Sequence, residues 1–153
     1  MEELTSLSKM MIKHHAYIEE LFQVFKEQIG KEYAVMRETF NTFEGILKKH
    51  FAVEEENLFK FADLNDVNVA KLVHNLITDH FSMRGMVDTI KKSMERGEKL
   101  DFSVLDTLLV KHRMIEDSVL YPRMENELDA WRKDEVIEII CALEKSASLQ
   151  GFR

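Results

Sequence analysis

Six residues with metal-ligand chemistry stand where helical spacing asks for apolar ones. One stripe recurring every three to four residues reaches positions 50 and 54, and the chain has His50 and Glu54 there. Another needs an apolar residue at 80 and has His80, and a third needs them at 112 and 116 and has His112 and Glu116. The first stripe meets His14-His15. A buried carboxylate without a partner costs several kcal/mol, and a buried imidazole needs its nitrogens satisfied. A metal ion takes neutral imidazole nitrogen and anionic carboxylate oxygen together, so metal binding is the chemistry that makes this pattern tolerable. The competing reading places His50/Glu54 and His112/Glu116 as exposed ion pairs on helix faces. Their place inside apolar stripes argues against it.

An internal repeat fixes the count. His15-Ala-Tyr-Ile18 is similar to His80-Phe-Ser-Met83 at an offset of 80 − 15 = 65, and Lys49-His50-Phe-Ala-Val-Glu54-Glu55 is similar to Lys111-His112-Arg-Met-Ile-Glu116-Asp117 at 112 − 50 = 62. One helical hairpin used twice predicts a pseudo-twofold site, with two histidines and one glutamate from each half. Two metals bridged by two carboxylates satisfy that count. The repeat favours His15 over its neighbour His14. Glu55, Glu56 and Asp117 read as an acidic rim or as acceptors for imidazole N–H groups.

Four long helices must position these groups. The first runs from an N-cap at Thr5 or Ser8 to about Ile29, with Leu4, Leu7, Met11, Ile18, Phe22, Phe25 and Ile29 on one face and Gly30 at its end. The second covers about Glu32 to Phe61 through Met36, Phe40, Phe43, Leu47, Leu58 and Phe61. Leu64-Asn65-Asp66 caps the third, which runs to Arg96 with Val69, Val73, Leu76, Met83, Val87, Ile90 and Met94 in step. Asp101 is the expected N-cap of the fourth, carrying Leu105, Leu108, Ile115 and Val119, and Pro122 breaks or kinks it. Residues Ala130 to Ser146 form a shorter amphipathic helix outside the bundle through Val136, Ile139, Ile140 and Leu143. Short connections make neighbours antiparallel, so the expected fold is all-α: an up-down-up-down four-helix bundle with an additional short C-terminal helix, in one domain over residues 1–153. At about 1.5 Å per residue, His15, His50 and His80 fall about 20–25 Å from the turns at one end of the bundle and His112 about 15 Å, within one layer.

Composition agrees. Five glycines and one proline in 153 residues are too few for sheets and tight loops. A net charge of −7 and no basic cluster speak against nucleic acid. No apolar run is long enough to span a bilayer, and Met1-Glu2-Glu3-Leu4 lacks the order of a signal peptide. With a single cysteine, Cys141, which is expected to be buried, a cytoplasmic setting is the expectation. His74 is expected at the surface or its boundary and Phe51, Phe81 and Met83 in the core, while Tyr17 and Tyr121 fall within reach of the site with no role assigned.

His15-Ala-Tyr-Ile18, His50-Phe-Ala-Val-Glu54-Glu55, Asp79-His80-Phe-Ser-Met83-Arg84, and His112-Arg-Met-Ile-Glu116 with Leu120-Tyr121-Pro122 resemble, in this order, the hemerythrin-like or HHE cation-binding family. The resemblance implies a di-iron centre bridged by two carboxylates and an oxo or hydroxo group, with His15, His50, Glu54, His80, His112 and Glu116 as ligands. It further implies binding or sensing of O2 or a related small ligand, NO or peroxide, rather than turnover. A redox enzyme for NO, peroxide or iron–sulfur cluster repair is the alternative, followed by iron storage or transfer and by a metal-free helical interaction module. Hemerythrin proper has a fifth histidine where this chain has Leu76, which implies an open position on each iron. It also uses an aspartate five residues after the last histidine, which keeps Asp117 in competition with Glu116; the symmetry with Glu54 favours Glu116.

Overall fold

The computed structural model describes residues 6–149, with side chains through residue 146. Helices α1 (Leu7–Glu27), α2 (Tyr33–Val53), α3 (Val67–Glu95) and α4 (Ser103–Ile115) form the expected up-down-up-down bundle, α5 (Tyr121–Glu127) extends the fourth helix, and α6 (Ala130–Leu149) comes last. Among the described residues there is no strand, and no helix is long and apolar enough to cross a membrane.

The caps show why the helices begin and end here. Ser6, not Thr5 or Ser8, caps α1, its Oγ accepting from the Lys9 N–H at 3.0 Å. Asp66 caps α3 as expected, accepting from the Asn68 and Val69 N–H groups. Asp101 sits one residue ahead of the fourth helix's N-cap, Phe102, and turns the chain into it by accepting from the Ser103 N–H and hydroxyl. Gly30 and Gly97 adopt φ of 83° and 68° just beyond α1 and α3, a left-handed conformation that stops a helix at little cost to glycine.

The second and fourth helices are not continuous α-helix. A π turn, Glu54–Leu58, succeeds α2, then a 3-10 turn, Phe59–Phe61. A second π turn, Glu116–Leu120, joins α4 to α5. The N–H of Phe59 reaches the carbonyl of Glu54, and that of Tyr121 the carbonyl of Glu116, five residues back in each case. The two turns repeat at the offset of 62, since 54 + 62 = 116. Pro122 comes directly after the second turn and stands in the first turn of α5, where its missing N–H is tolerated; the chain continues helical to Glu127.

The extra residue of each π turn rotates the helix beyond it. Leu120 is therefore buried and Val119, expected in the core, is half exposed. Ile29 lies past the end of α1 and is 40% exposed. Phe81 is a third departure: it is 79% exposed, because His80, Met83 and Val87 define the inner face of α3 and Phe81 points about 100° away from His80. Phe51 and Met83 are buried as expected, and Cys141 is exposed on α6 rather than buried. Leu4 lies outside the described residues.

Two apolar clusters fill the interior. One, at the end of the α1–α2 and α3–α4 turns, gathers Phe22, Phe25, Phe40, Phe43, Met94 and Leu105. The other gathers Leu7, Met11, Leu58, Val73, Leu76 and Leu120, and α6 closes it with Val136 and Ile140, which are fully buried. The polar layer lies between them.

Candidate metal centre

Each main helix gives one histidine to this layer: His15 from α1, His50 from α2, His80 from α3 and His112 from α4. Glu54 and Glu116 open the two π turns, each one turn after its histidine, and both carboxylates are completely buried. π turns are rare and concentrate at functional sites.

The six residues predicted from the sequence come together as two overlapping groups. His15, His50, Glu54 and Glu116 offer one donor atom each within 4.8 Å of one another, and so do His80, His112, Glu54 and Glu116. Both glutamates belong to both groups. In the first, His15 Nε2 lies 3.2 Å from His50 Nε2 and 3.2 Å from Glu116 Oε1, and His50 Nε2 lies 3.3 Å from Glu54 Oε1. In the second, His80 Nε2 lies 3.2 Å from His112 Nε2 and 3.0 Å from Glu54 Oε1, and His112 Nε2 lies 3.1 Å from Glu116 Oε2.

The outer nitrogens identify what the inner ones present. His15 Nδ1 pairs with Asp117 at 2.9 Å, His80 Nδ1 with Glu55 at 2.7 Å, and His112 Nδ1 with Asp79 at 3.0 Å. A carboxylate accepts, so each Nδ1 carries the proton and each Nε2 turns a lone pair inward. Lone pairs of imidazoles and oxygens of carboxylates then face one another at contact distance. Without a cation that arrangement is repulsive; with one, every atom has a partner. Fully buried Glu116 Oε2 faces the inner nitrogen of His112 at 3.1 Å, which fits the same conclusion. Buried His and Glu groups in this arrangement suit a metal-binding site.

Protons take the cation's place in the bare protein. Burial pushes His15 down, but its bonds to Asp117 and Glu116 more than offset this and raise it to about 9. Burial likewise lowers His112, and Glu116 with Glu54 raises it to about 11. Burial raises Glu54, yet the surrounding imidazoles, His50 foremost, hold it well below the usual carboxylate range.

The close alternatives separate clearly. His14 is fully buried but turned away, with Nδ1 on Glu144 of α6 at 2.8 Å and its ring stacked on His50. Burial lowers its pKa to about 4. Asp117 backs His15 instead of joining the inner group, and His74 is exposed. Leu76, one turn before His80, is buried in the second apolar cluster.

Sequence reasoning passed over two residues. Asp79 was visible only as part of the His80 motif, and its place beside His112 results from packing α3 against α4. Tyr121 is the larger omission: it is fully buried, and its hydroxyl donates to Glu54 Oε2 at 2.6 Å. Burial first, and then Glu116 and Glu54, push its pKa well above that of a free phenol. The available signal was the repeat, which sets Tyr121 opposite Phe59 (121 − 62 = 59).

A pocket of about 20 Å³ adjoins His15, His50 and His112, walled by Ile18, Leu47, Phe51 and Leu109. That is room for a molecule the size of water. Compared with known families, residues 6–124 match the Hemerythrin HHE cation binding domain. No curated protein and no solved structure matches the chain.

Proposed function

The chain belongs to the Hemerythrin HHE cation binding domain family, and from that premise we propose that its core holds two iron ions and binds or senses O2 or a related small ligand such as NO or peroxide. The observation that carries this reading is the sharing of Glu54 and Glu116 by two groups of donors, each completed by two histidines. One ion would take His15 and His50, the other His80 and His112, and the two glutamates would span both.

Imidazole with carboxylate is a borderline donor set that suits iron, and it accepts manganese or zinc as well. When bound, the iron pair supplies redox-active metal with room for a small external ligand. The protein's own groups do the rest. Asp117, Glu55 and Asp79 fix the tautomer and ring direction of three histidines and raise their basicity. Arg84, 3.1 Å from Glu55, and Arg113, 3.9 Å from Asp117, balance two of those carboxylates from outside. The apolar clusters on either side exclude bulk water, and the small apolar pocket admits only a few atoms.

Binding rather than turnover is the favoured reading, in a cytoplasmic setting. Protein made in iron-replete cells should contain about two iron atoms per chain. Its absorption should change reversibly on anaerobic titration with NO and on exposure to O2. A homogeneous product with one tightly held ion and no second site would refute the paired centre. Two irons with continuous consumption of O2 or peroxide would replace binding by catalysis.

A further inference from the structure

The pseudo-twofold repeat makes the two metal positions comparable atom by atom, and two differences both fall on the His15/His50 side. The first is Tyr121. Its ring lies 5.4 Å from that of His15, as the Phe59 ring lies 5.6 Å from that of His80, so the two aromatics are counterparts that differ by one hydroxyl. The second is His14. By the offset of 65, the counterpart of Asp79 is residue 14 (79 − 65 = 14). Asp79 accepts from His112, whereas His14 stacks on His50 and leaves His50 Nδ1 without a partner. The His15/His50 side therefore has one carboxylate fewer behind its imidazoles and one phenol more in front.

The phenol oxygen is placed as a ligand would be. It lies 3.0 Å from His15 Nε2, 2.6 Å from Glu54 Oε2 and 3.2 Å from Glu116 Oε1. Donors about 2.1 Å from an octahedral ion sit about 3.0 Å apart along each edge of the polyhedron. In the bare protein the proton on His15 Nε2 and that of the phenol share these contacts. A metal at His15 would displace the first, and the phenol's one proton goes to Glu54 Oε2 at the shortest distance. The contacts to the freed lone pair of His15 and to the anionic Glu116 would then be left without one. A cation among the four atoms satisfies all of them.

We propose that Tyr121 is an oxygen ligand of the metal held by His15 and His50, making the two positions of the centre chemically unequal. This rests on the paired-metal reading above. The phenol proton leaves to solvent as the metal takes its place. The phenolate charge makes up for the carboxylate that His50 lacks. Only the His80/His112 position would then keep the opening that the family resemblance implies for both.

The test compares the full chain, loaded with ferric iron, as wild type and as Tyr121→Phe. Wild type should hold two irons and show a visible phenolate-to-iron charge-transfer band, with tyrosine ring modes enhanced in resonance Raman. Tyr121→Phe should keep both irons and lose the band and the modes. Tyr33→Phe, at an exposed site, should leave the spectrum as it is. Two irons with no such band in wild type, or the same band in Tyr121→Phe, overturns the assignment and leaves the iron pair standing. Failure of wild type to take up iron overturns both. If Tyr121→Phe does not fold, wild type with ring-deuterated tyrosine decides: shifted enhanced modes support the ligand, and their absence overturns it.

Discussion

Lowering the pH should weaken metal binding by a predictable slope, because each position must expel a proton before it accepts an ion. In the bare protein His15 holds a proton up to about pH 9 and His112 up to about pH 11, and one of them belongs to each donor group. At pH 7, freeing the His15 lone pair costs about two pH units, roughly 3 kcal/mol, and freeing that of His112 about four, roughly 5 kcal/mol. Affinity at the His80/His112 position should therefore fall about tenfold for every unit the pH drops below 9, and about a hundredfold at the His15/His50 position, where the Tyr121 phenol gives up a second proton; filling the pair at neutral pH should release about three protons. Zinc is a suitable probe, being redox-silent. Competition against a chelator of known affinity between pH 6.5 and 8.5 gives the slope, and a weakly buffered titration counts the protons. Asp117→Asn should flatten the slope at the His15 position, since it removes the carboxylate that does most to hold that proton. Affinity independent of pH, with no protons released, would refute the idea that inward-facing lone pairs compete between proton and metal.

The same geometry leads to two further outcomes. His80→Ala should abolish binding at its position and destabilise the metal-free protein by about 3–5 kcal/mol, because fully buried Glu54 loses a partner at 3.0 Å, while exposed His74→Ala changes neither metal content nor melting temperature; the reverse pattern would show that α3 has another register. In chelated protein His14 stays neutral to about pH 4 although its free value is 6.5, so stability falls by about 3 kcal/mol as pH drops across that window. His15 and His112 keep protons that the unfolded chain loses above about 6.5, so stability also falls as pH rises toward 9. Urea midpoints should peak near pH 6.5, and a monotonic profile would count against these assignments.

The inner donors were legible because burying a histidine or glutamate in an apolar stripe is costly enough to need a reason. His50, Glu54, His80, His112 and Glu116 each interrupt a stripe most of whose other members are buried, Val119 excepted, and the repeat favours His15 over His14. The π turns were not legible. Nothing in Glu54–Leu58 or Glu116–Leu120 departs from helix-forming composition, and apolar periodicity assumes an unbroken 3.6-residue repeat. Val119 was misplaced for that reason. Phe81 failed differently: residue type suggested the core, but the phase of His80 and Met83 on the same helix already pointed it outward.

Tyr121 shows the limit of both kinds of argument. It is buried as Phe59 is, and packing alone does not separate the two. The difference lies in one oxygen, and its meaning depends on three atoms from α1 and the two π turns that no spacing rule brings together. The repeat supplies what spacing does not. Where a duplicated hairpin keeps its ligands, each position reports what a metal needs. Where the halves differ, as at Tyr121 against Phe59 and His14 against Asp79, the differences mark what would separate one proposed metal position from the other. Both lie beside His15 and His50, and they act on charge in opposite directions: His14 stands where an acceptor carboxylate would, and Tyr121 adds an oxygen able to carry charge. On the proposed assignment, compensation within one half of the site would let the symmetry break there while both groups of candidate donors are kept.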